Sequence, residues 1–527
     1  MTNGDQRYLI IAPLSGIVGL IQENQFQFTL RSFTISETPS QEIMDYRLFL
    51  LFLFAFSTIE CQNVQEDTNV TSVTDATTTE KPALKSLCTV CNCTGDVINC
   101  ANMKLTDHFD DSQWPNSSIR LMTFEGNSLV HIKPFPKVAI KKLVLRGNEI
   151  TKIDVRAFKQ LINLTELDLS HNQLTSESLR PHVFEGRFSP ESYEPLEKLV
   201  ILNLANNVLH SLHQDLFEHM MNLKTLILAG NPFGTFDYRT SIAISSLVYL
   251  EELDLSYCEL KTLPDHQFHT LRHIKSLNLT GNRFAVPPVA LGEAEKLEIV
   301  SLDENPIEVI NQIHAFPIMP SLKELSLCCM PHLKNIGKGG LSGLTALETL
   351  RIQNSPNLED IDENALKEEG AVWPPLKKLD LSDNALRYLP SLLVGRWDWL
   401  EELDLMNNKW SCDCDNQYLI STLLPLYGKK LMKNDTSKLT CTAPPEHEGK
   451  PLISLSHRKL RCLDIYGAQP EKDAAVLIGI LIGLLLAIPI CLTIFVLWRR
   501  GFFFCGTHGP ASFSRAFYKR TANEEDL

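Results

Sequence analysis

One pattern of apolar and polar positions, LxxLxLxxNxL, runs through the middle of the chain. It occurs as Leu164, Leu167, Leu169, Asn172 and Leu174, and again as Leu199, Leu202, Leu204, Asn207 and Leu209. It returns as Leu223, Leu226, Leu228, Asn231 and Phe233, and as Ile274, Leu277, Leu279, Asn282 and Phe284. Further copies end at Asn305, Asn384 and Asn408, and earlier ones centre on Asn127 and Asn148. Cys258, Met330 and Ser355 hold the Asn position in three more. Twelve repeats result, most of them 23 to 25 residues apart, with an insertion at 176–195 between Asn172 and Asn207. The alternating Leu-x-Leu predicts a short strand with its leucines pointing inward. A fixed period predicts that these strands stack into one parallel sheet. The Asn side chain is expected to satisfy backbone groups that a sharp turn out of the strand would leave buried and unpaired. Phe158, Phe217 and Phe268 recur later in their repeats and are expected to pack the opposite side.

Two other apolar runs set the topology. Arg47 precedes Leu48 to Phe56, with Ala55 and Ser57 at the −3 and −1 positions for cleavage. This reads as a signal peptide, too short to span a bilayer, with Met44 as its start. Ala474 to Trp498 is a 25-residue stretch without a charge. At 1.5 Å per residue it covers about 37 Å, enough for a hydrocarbon core of about 30 Å. Arg499 and Arg500 follow it, which places the C-terminus in the cytoplasm and makes the protein a plasma-membrane, single-pass type I chain. The span carries Gly479, Gly483 and Ala487 at small-xxx-small spacing, a candidate dimer contact. Cys505 beside the membrane is a candidate for palmitoylation. The tail after the span is too short for a kinase, a phosphatase or a TIR domain. Its end, Glu525-Asp526-Leu527, reads as a ligand for a PDZ protein.

Composition narrows the picture. The net charge of −14 argues against nucleic acid as partner, because phosphate binding needs a clustered basic face. The 14 cysteines are clustered: Cys88, Cys91, Cys93 and Cys100 immediately precede the repeats, and Cys412, Cys414, Cys441 and Cys462 immediately follow them. Such clusters suggest stapled modules in an oxidising compartment, and each allows three pairings; zinc is the alternative for a Cys-x-x-Cys spacing. Cys328 and Cys329 are adjacent, and free thiols, a vicinal disulfide and pairing with another chain all remain open. His266, His269 and His273 have a spacing that would suit a metal on a helix, with no companion Cys or carboxylate pattern. Glycosylation sequons begin at Asn69, Asn92, Asn116, Asn163, Asn278 and Asn434. Motifs for serine hydrolases, zinc proteases and phosphate-binding loops are missing, so no enzymatic activity and no cofactor is expected.

The repeats resemble the leucine-rich repeat family in its extracellular type of about 24 residues, over roughly Ile119 to Trp410. The run Asn408-Lys409-Trp410-Ser411-Cys412-Asp413-Cys414 resembles the start of that family's C-terminal cap, and the first Cys cluster its N-terminal cap. The resemblance implies disulfides Cys88–Cys93, Cys91–Cys100, Cys412–Cys441 and Cys414–Cys462. It also implies the fold class: α/β, a leucine-rich repeat solenoid, horseshoe-like with a parallel concave sheet, with disulfide caps plus one transmembrane helix. The chain then divides into an extension at 1–43, a signal peptide at 44–61 and a Thr-rich leader at 62–87. An N-terminal cap at 88–118, repeats at 119–410 and a C-terminal cap at 411–463 follow. A stalk at 464–473, a transmembrane helix at 474–498 and a tail at 499–527 complete it.

Proteins of this layout bind through the concave sheet. Here the candidate face holds Lys142, Val144, Arg146, Glu166, Asp168, Ile201, Ile227, Glu252, Asp254 and Tyr257. Asn278 lies in the same column, so a glycan there is expected to obstruct the centre and leave an end, an edge or the insertion for a ligand. The expected function is a cell-surface receptor, co-receptor or adhesion protein that takes a protein ligand or co-receptor outside the cell. The layout is similar to the trophoblast glycoprotein family, which implies modulation of Wnt-type signalling. It is also similar to capricious-like and Toll ectodomain proteins, which imply adhesion and innate recognition.

Overall fold

The computed structural model describes residues 86–189, 192–367, 373–393, 399–433, 435–462 and 470–500. The extension, the signal peptide, almost all of the leader, Asn69, Asn434, Cys505 and the PDZ-type end lie outside them.

Twelve parallel strands, one per repeat, run from Ile119–Thr123 to Glu402–Asp404 in a single sheet. The N-terminal cap adds a hairpin, Asn92–Thr94 with Val97–Asn99, whose second strand pairs in parallel with Ile119–Thr123. Most repeat strands are three residues long, with a buried middle residue and open flanks, as in Glu166–Asp168 and Thr349–Arg351. That is the two-residue alternation of a sheet with one face against the core.

The asparagines form the second column of the solenoid. Nδ2 of Asn172 donates to the carbonyls of Leu169 (2.9 Å) and Ser170 (3.1 Å) in its own repeat and of Leu145 (3.1 Å) in the preceding one. Its Oδ1 accepts from the amide of Ile150, 3.2 Å away in the preceding repeat. One side chain thus replaces a missing turn of ladder bonds on both sides of a repeat boundary. Where Cys258 fills the slot, its thiol lies 3.4 Å from the carbonyl of Leu228 and 3.5 Å from that of Ser256. Burial pushes that thiol up to about 12, so it stays protonated and inert.

The residue before this slot is left-handed in every repeat. Four repeats place glycine there: Gly126, Gly147, Gly230 and Gly281. The other eight hold His171, Asn206, Tyr257, Glu304, Cys329, Asn354, Asp383 and Asn407 at φ between 53° and 61°. The turn out of each strand requires this conformation, which side-chain-bearing residues adopt at some cost.

The return segments are mostly turns and 3-10 helices. Among the described repeats, Tyr238–Ser245 is the one α-helix, with the Asp237 carboxylate accepting the amide of Thr240 at 2.8 Å. Phe135, Phe158 and Phe184 stack at centroid distances of 6.0 and 5.7 Å, and Phe217 and Phe268 are buried further along. The insertion ends in an antiparallel hairpin, Arg187–Ser189 with Ser192–Glu194.

Both ends of the core are closed. Disulfides join Cys88 to Cys93 and Cys91 to Cys100 at the first end, where buried Trp114 meets Phe135 edge-on at 5.7 Å. Disulfides join Cys412 to Cys441 and Cys414 to Cys462 at the other end. There Trp410 is buried and donates its indole N–H to the carbonyl of Leu405 at 3.1 Å. The helix Pro470–Arg499 contains Ala474–Arg499, a stretch long and apolar enough to cross a membrane. Its apolar side chains are exposed all round, as for a helix that takes lipid as its solvent.

Candidate functional site: the open face of the sheet

The strand register brings twelve residues into one line across the open face: Thr123, Val144, Asp168, Asn203, Ile227, Asp254, Asn278, Ser301, Ser326, Arg351, Asp380 and Asp404. Its first two members are closed off. Thr123 and Val144 are each only 9% exposed, which corrects the expectation that Val144 offers an apolar contact. A short branched side chain, flanked in register by Thr123 and Asp168, shows little of itself to solvent.

The acidic bias of this line has a folding role. The side-chain oxygens of Asp168, Asn203, Asp254, Asn278, Asp380 and Asp404 each accept the backbone N–H two residues on, at 2.9 to 3.1 Å. These are Asx turns that start the chain's exit from the strand. Charged residues in and beside the line are largely paired. Lys142 pairs with Glu166, Arg351 with Glu324, and Lys378 with Glu402. Arg146 lies 3.4 Å from Nε2 of His171.

One edge of the sheet carries a feature that the sequence reading missed. The residue two places before the middle of each strand reads Lys224, Glu251, Lys275, Glu298, Lys323, Glu348, Lys377, Glu401 over eight consecutive repeats. Each of these amides donates to the carbonyl of the residue before it in the series, at 2.7 to 2.8 Å from Glu251 onward. Ion pairs join Glu251 to both Lys224 and Lys275 at 2.8 Å, Lys323 to Glu298 at 2.8 Å and Lys377 to Glu348 at 2.7 Å. Hydrogen bonds from its two lysines hold the Glu251 carboxyl down to about 2. The signal was legible: aligning the repeats by their middle Leu exposes the strict alternation of sign.

The apolar part of the face is near the middle. Ile201 and Ile227 are half-buried, Ile299 is 43% exposed and Tyr257 is 52% exposed. Tyr257 lies over Gly281 of the next repeat, where an added Cβ would meet the ring at 2.3 Å. Its hydroxyl donates to Glu304 one repeat further, at 3.1 Å. The ring is therefore held across three repeats. Desolvation and the Glu304 carboxylate raise the phenol above its ordinary range. Glu252 is exposed and Asp254 half-buried beside this group.

Asn278 sits half-buried on the face between Asp254 and Ser301. The hydroxyl of Thr280 in its sequon is 2.8 Å from that of Ser301. Asn92 and Asn116 are exposed, and Asn163 is half-buried and accepts from Lys198 at 2.6 Å. Cys328 and Cys329 are joined to each other, half-buried, where the chain leaves its strand. The three spaced histidines are not brought together: His266 pairs with Glu293 at 2.8 Å, and His273 lies 2.9 Å from the carbonyl of Val248. A cleft of about 740 Å³ opens at the insertion, with His182, His213, Glu177, Asp215, Arg180 and Arg239 in its walls.

Two family models, both described as leucine rich repeat, match residues 139–187 and 249–271. Podocan of Mus musculus is 26% identical over 347 residues, 59% of this chain and 54% of podocan. Transforming growth factor beta activator LRRC32 of Pongo abelii is 27% identical over 417 residues, 66% of this chain and 60% of the relative. Tsukushi of Mus musculus is 28% identical over 296 residues, 55% and 78% of the two chains. The matches thus span 54% and 60% of the length of the first two relatives. Among solved structures, one chain of an octameric complex of latrophilin 3, Unc5D and FLRT2 is similar at 21% identity, with a TM-score of 0.39 over 69% of this chain and 96% of that one.

Proposed function

We propose that this chain, a leucine-rich repeat protein with two disulfide caps and one apolar helix, is a single-pass type I surface receptor, co-receptor or adhesion protein. It takes a protein ligand on its ectodomain. The observation that carries this reading is the open sheet: twelve strands in unbroken register, capped at both ends, with a pinned exposed Tyr257 and the apolar Ile201, Ile227 and Ile299 beside it. A rigid aromatic over a preformed surface is what a protein contact favours, because little side-chain freedom is lost on binding.

Asn278 restricts where a ligand sits. A glycan at that position would stand within the apolar part of the face, between the strands of Ile227 and Ile299, so the ligand uses one end of the sheet, an edge or the insertion. Peptide mapping of the secreted-pathway product is expected to find Asn278 glycosylated; an unmodified Asn278 would return the whole face to the ligand.

The test of the reading is a full-length chain tagged after residue 61 and expressed on cells. Antibody staining without permeabilisation, together with capture of a defined cell-surface or secreted protein that Tyr257→Ala weakens by about tenfold or more, is the expected result. A tag reached only after permeabilisation sinks the orientation, and binding untouched by Tyr257→Ala moves the site elsewhere.

A further inference from the structure

The C-terminal cap differs in charge from everything before it. Residues 62–410 hold 46 Asp and Glu against 32 Lys and Arg, whereas the cap at 411–463 holds eight Lys and Arg against five Asp and Glu. One of those five, Asp413, is buried and engaged with Tyr388, Ser411 and the amide of Asp415. On the cap surface a groove of about 260 Å³ is lined by Arg458, Lys459, Arg461, His447 and Glu446 over a floor that includes Cys412 and Pro444.

The cations in this groove are presented by a clamped segment. Gln417 donates to the carbonyl of Arg458 at 3.1 Å and accepts the amide of Leu460 at 2.8 Å. The amide of Cys414 donates to the carbonyl of Arg461 at 3.2 Å, and Cys462 is tied to Cys414. Leu460 is buried, which leaves Arg458, Lys459 and Arg461 exposed on either side of it. Nδ1 of His447 is buried without a hydrogen-bond partner among the described residues. Glu446 is the one carboxylate among the described lining residues, and its backbone carbonyl accepts Nζ of Lys450 at 2.5 Å, which brings a further cation to the rim.

We infer that this groove binds a sulfated polysaccharide, its exposed guanidinium and ammonium groups taking sulfate esters along the sugar chain. Sulfate esters keep their charge at any extracellular pH, and arginine offers them paired N–H donors in a fixed plane. The choice of a sulfated glycan rests on the exported orientation proposed above. On that side of the membrane anionic lipid is scarce, since the negative leaflet is the cytoplasmic one. Seven residues, 463–469, separate the described cap from the helix Pro470–Arg499, a reach of at most about 25 Å. The groove therefore stays near the cell surface whichever protein the open sheet engages.

The test uses the purified full-length chain in neutral detergent on immobilised heparin. The wild type is expected to be retained at about 0.15 M salt. The double variant Arg458→Glu/Lys459→Glu is expected to bind at least about tenfold more weakly, with its cap disulfides intact on a non-reducing peptide map. The control Lys137→Glu/Lys141→Glu reverses two exposed lysines at the junction of the first and second repeats and is expected to bind as the wild type does. Desulfated heparin of the same length is expected to bind poorly. Passage of the wild type through the column, equal loss in the control variant, or stronger binding to phosphatidylserine vesicles than to heparin would each overturn the inference. Heparin binding by the purified chain is read independently of its orientation in cells, so the two readings fail separately.

Discussion

At the scale of single residues, the left-handed position before each Asn slot is where fold and surface meet. At that position Tyr257 and Gly281 are coupled: the glycine supplies φ of +67° and also the space that the tyrosine ring occupies. Gly281→Ala is expected to cost about 1–3 kcal/mol, from backbone strain plus the displaced ring. Thermal melts of Gly281→Ala with and without Tyr257→Ala separate the two parts, and the ring's share should vanish in the double variant. Cys329 holds the equivalent position and is bonded to Cys328, while the amide of Cys328 donates to Asp303 at 2.7 Å. Mass spectrometry without reductant is expected to find the peptide carrying both cysteines unalkylated and lighter by two hydrogens than its reduced form. Alkylation before reduction, or a link to another chain, would contradict the pairing.

At the scale of the element, the alternating edge runs over eight repeats, and ion pairs join Lys224, Glu251 and Lys275, then Glu298 and Lys323, then Glu348 and Lys377. Lys275→Glu would place three carboxylates in line, at 251, 275 and 298. It is expected to lower the melting temperature at low ionic strength and to recover part of the loss at about 0.5 M salt. Glu251 also gives a pH signature. Its carboxyl is depressed in the folded chain, so its contribution is present above the ordinary carboxylate range and fades as pH falls toward about 2. The gap in melting temperature between wild type and Glu251→Gln should therefore close between about pH 4.5 and pH 2; a gap that is constant with pH would exclude this ion pair as its source. The strands, the Asn column and the twelve-fold register were legible in the sequence because Leu-x-Leu at a fixed period admits one stacking. Burial of Val144 was not, because it depends on how its in-register neighbours close over it. Nor was the Asx role of Asp168 and Asp254, since a carboxylate at a strand exit reads equally as ligand contact and as turn former.

At the scale of the whole molecule, each repeat packs mainly on its immediate neighbours, the Tyr257–Glu304 bond reaching one repeat further, so stability is close to a sum along one dimension and the ends fray first. Removing the Cys412–Cys441 link by Cys412→Ser/Cys441→Ser is expected to cost about 2–4 kcal/mol. Hydrogen exchange should rise first in Lys378–Asp380 and Glu402–Asp404 and last near Glu166–Asp168. Uniform loss of protection would instead mean that the array melts as one unit. The insertion shows the other face of this construction. Between Asn172 and Asn207 the chain makes its longest excursion, yet the strands Glu166–Asp168 and Ile201–Asn203 still pair residue for residue. Extra length is absorbed in the hairpin of Arg187–Ser189 and Ser192–Glu194, outside the sheet. That detour is an address for a recombinant epitope or a fluorophore: a label there leaves the ladder's spacing intact, and whether it displaces the ligand reads out the insertion's part in binding.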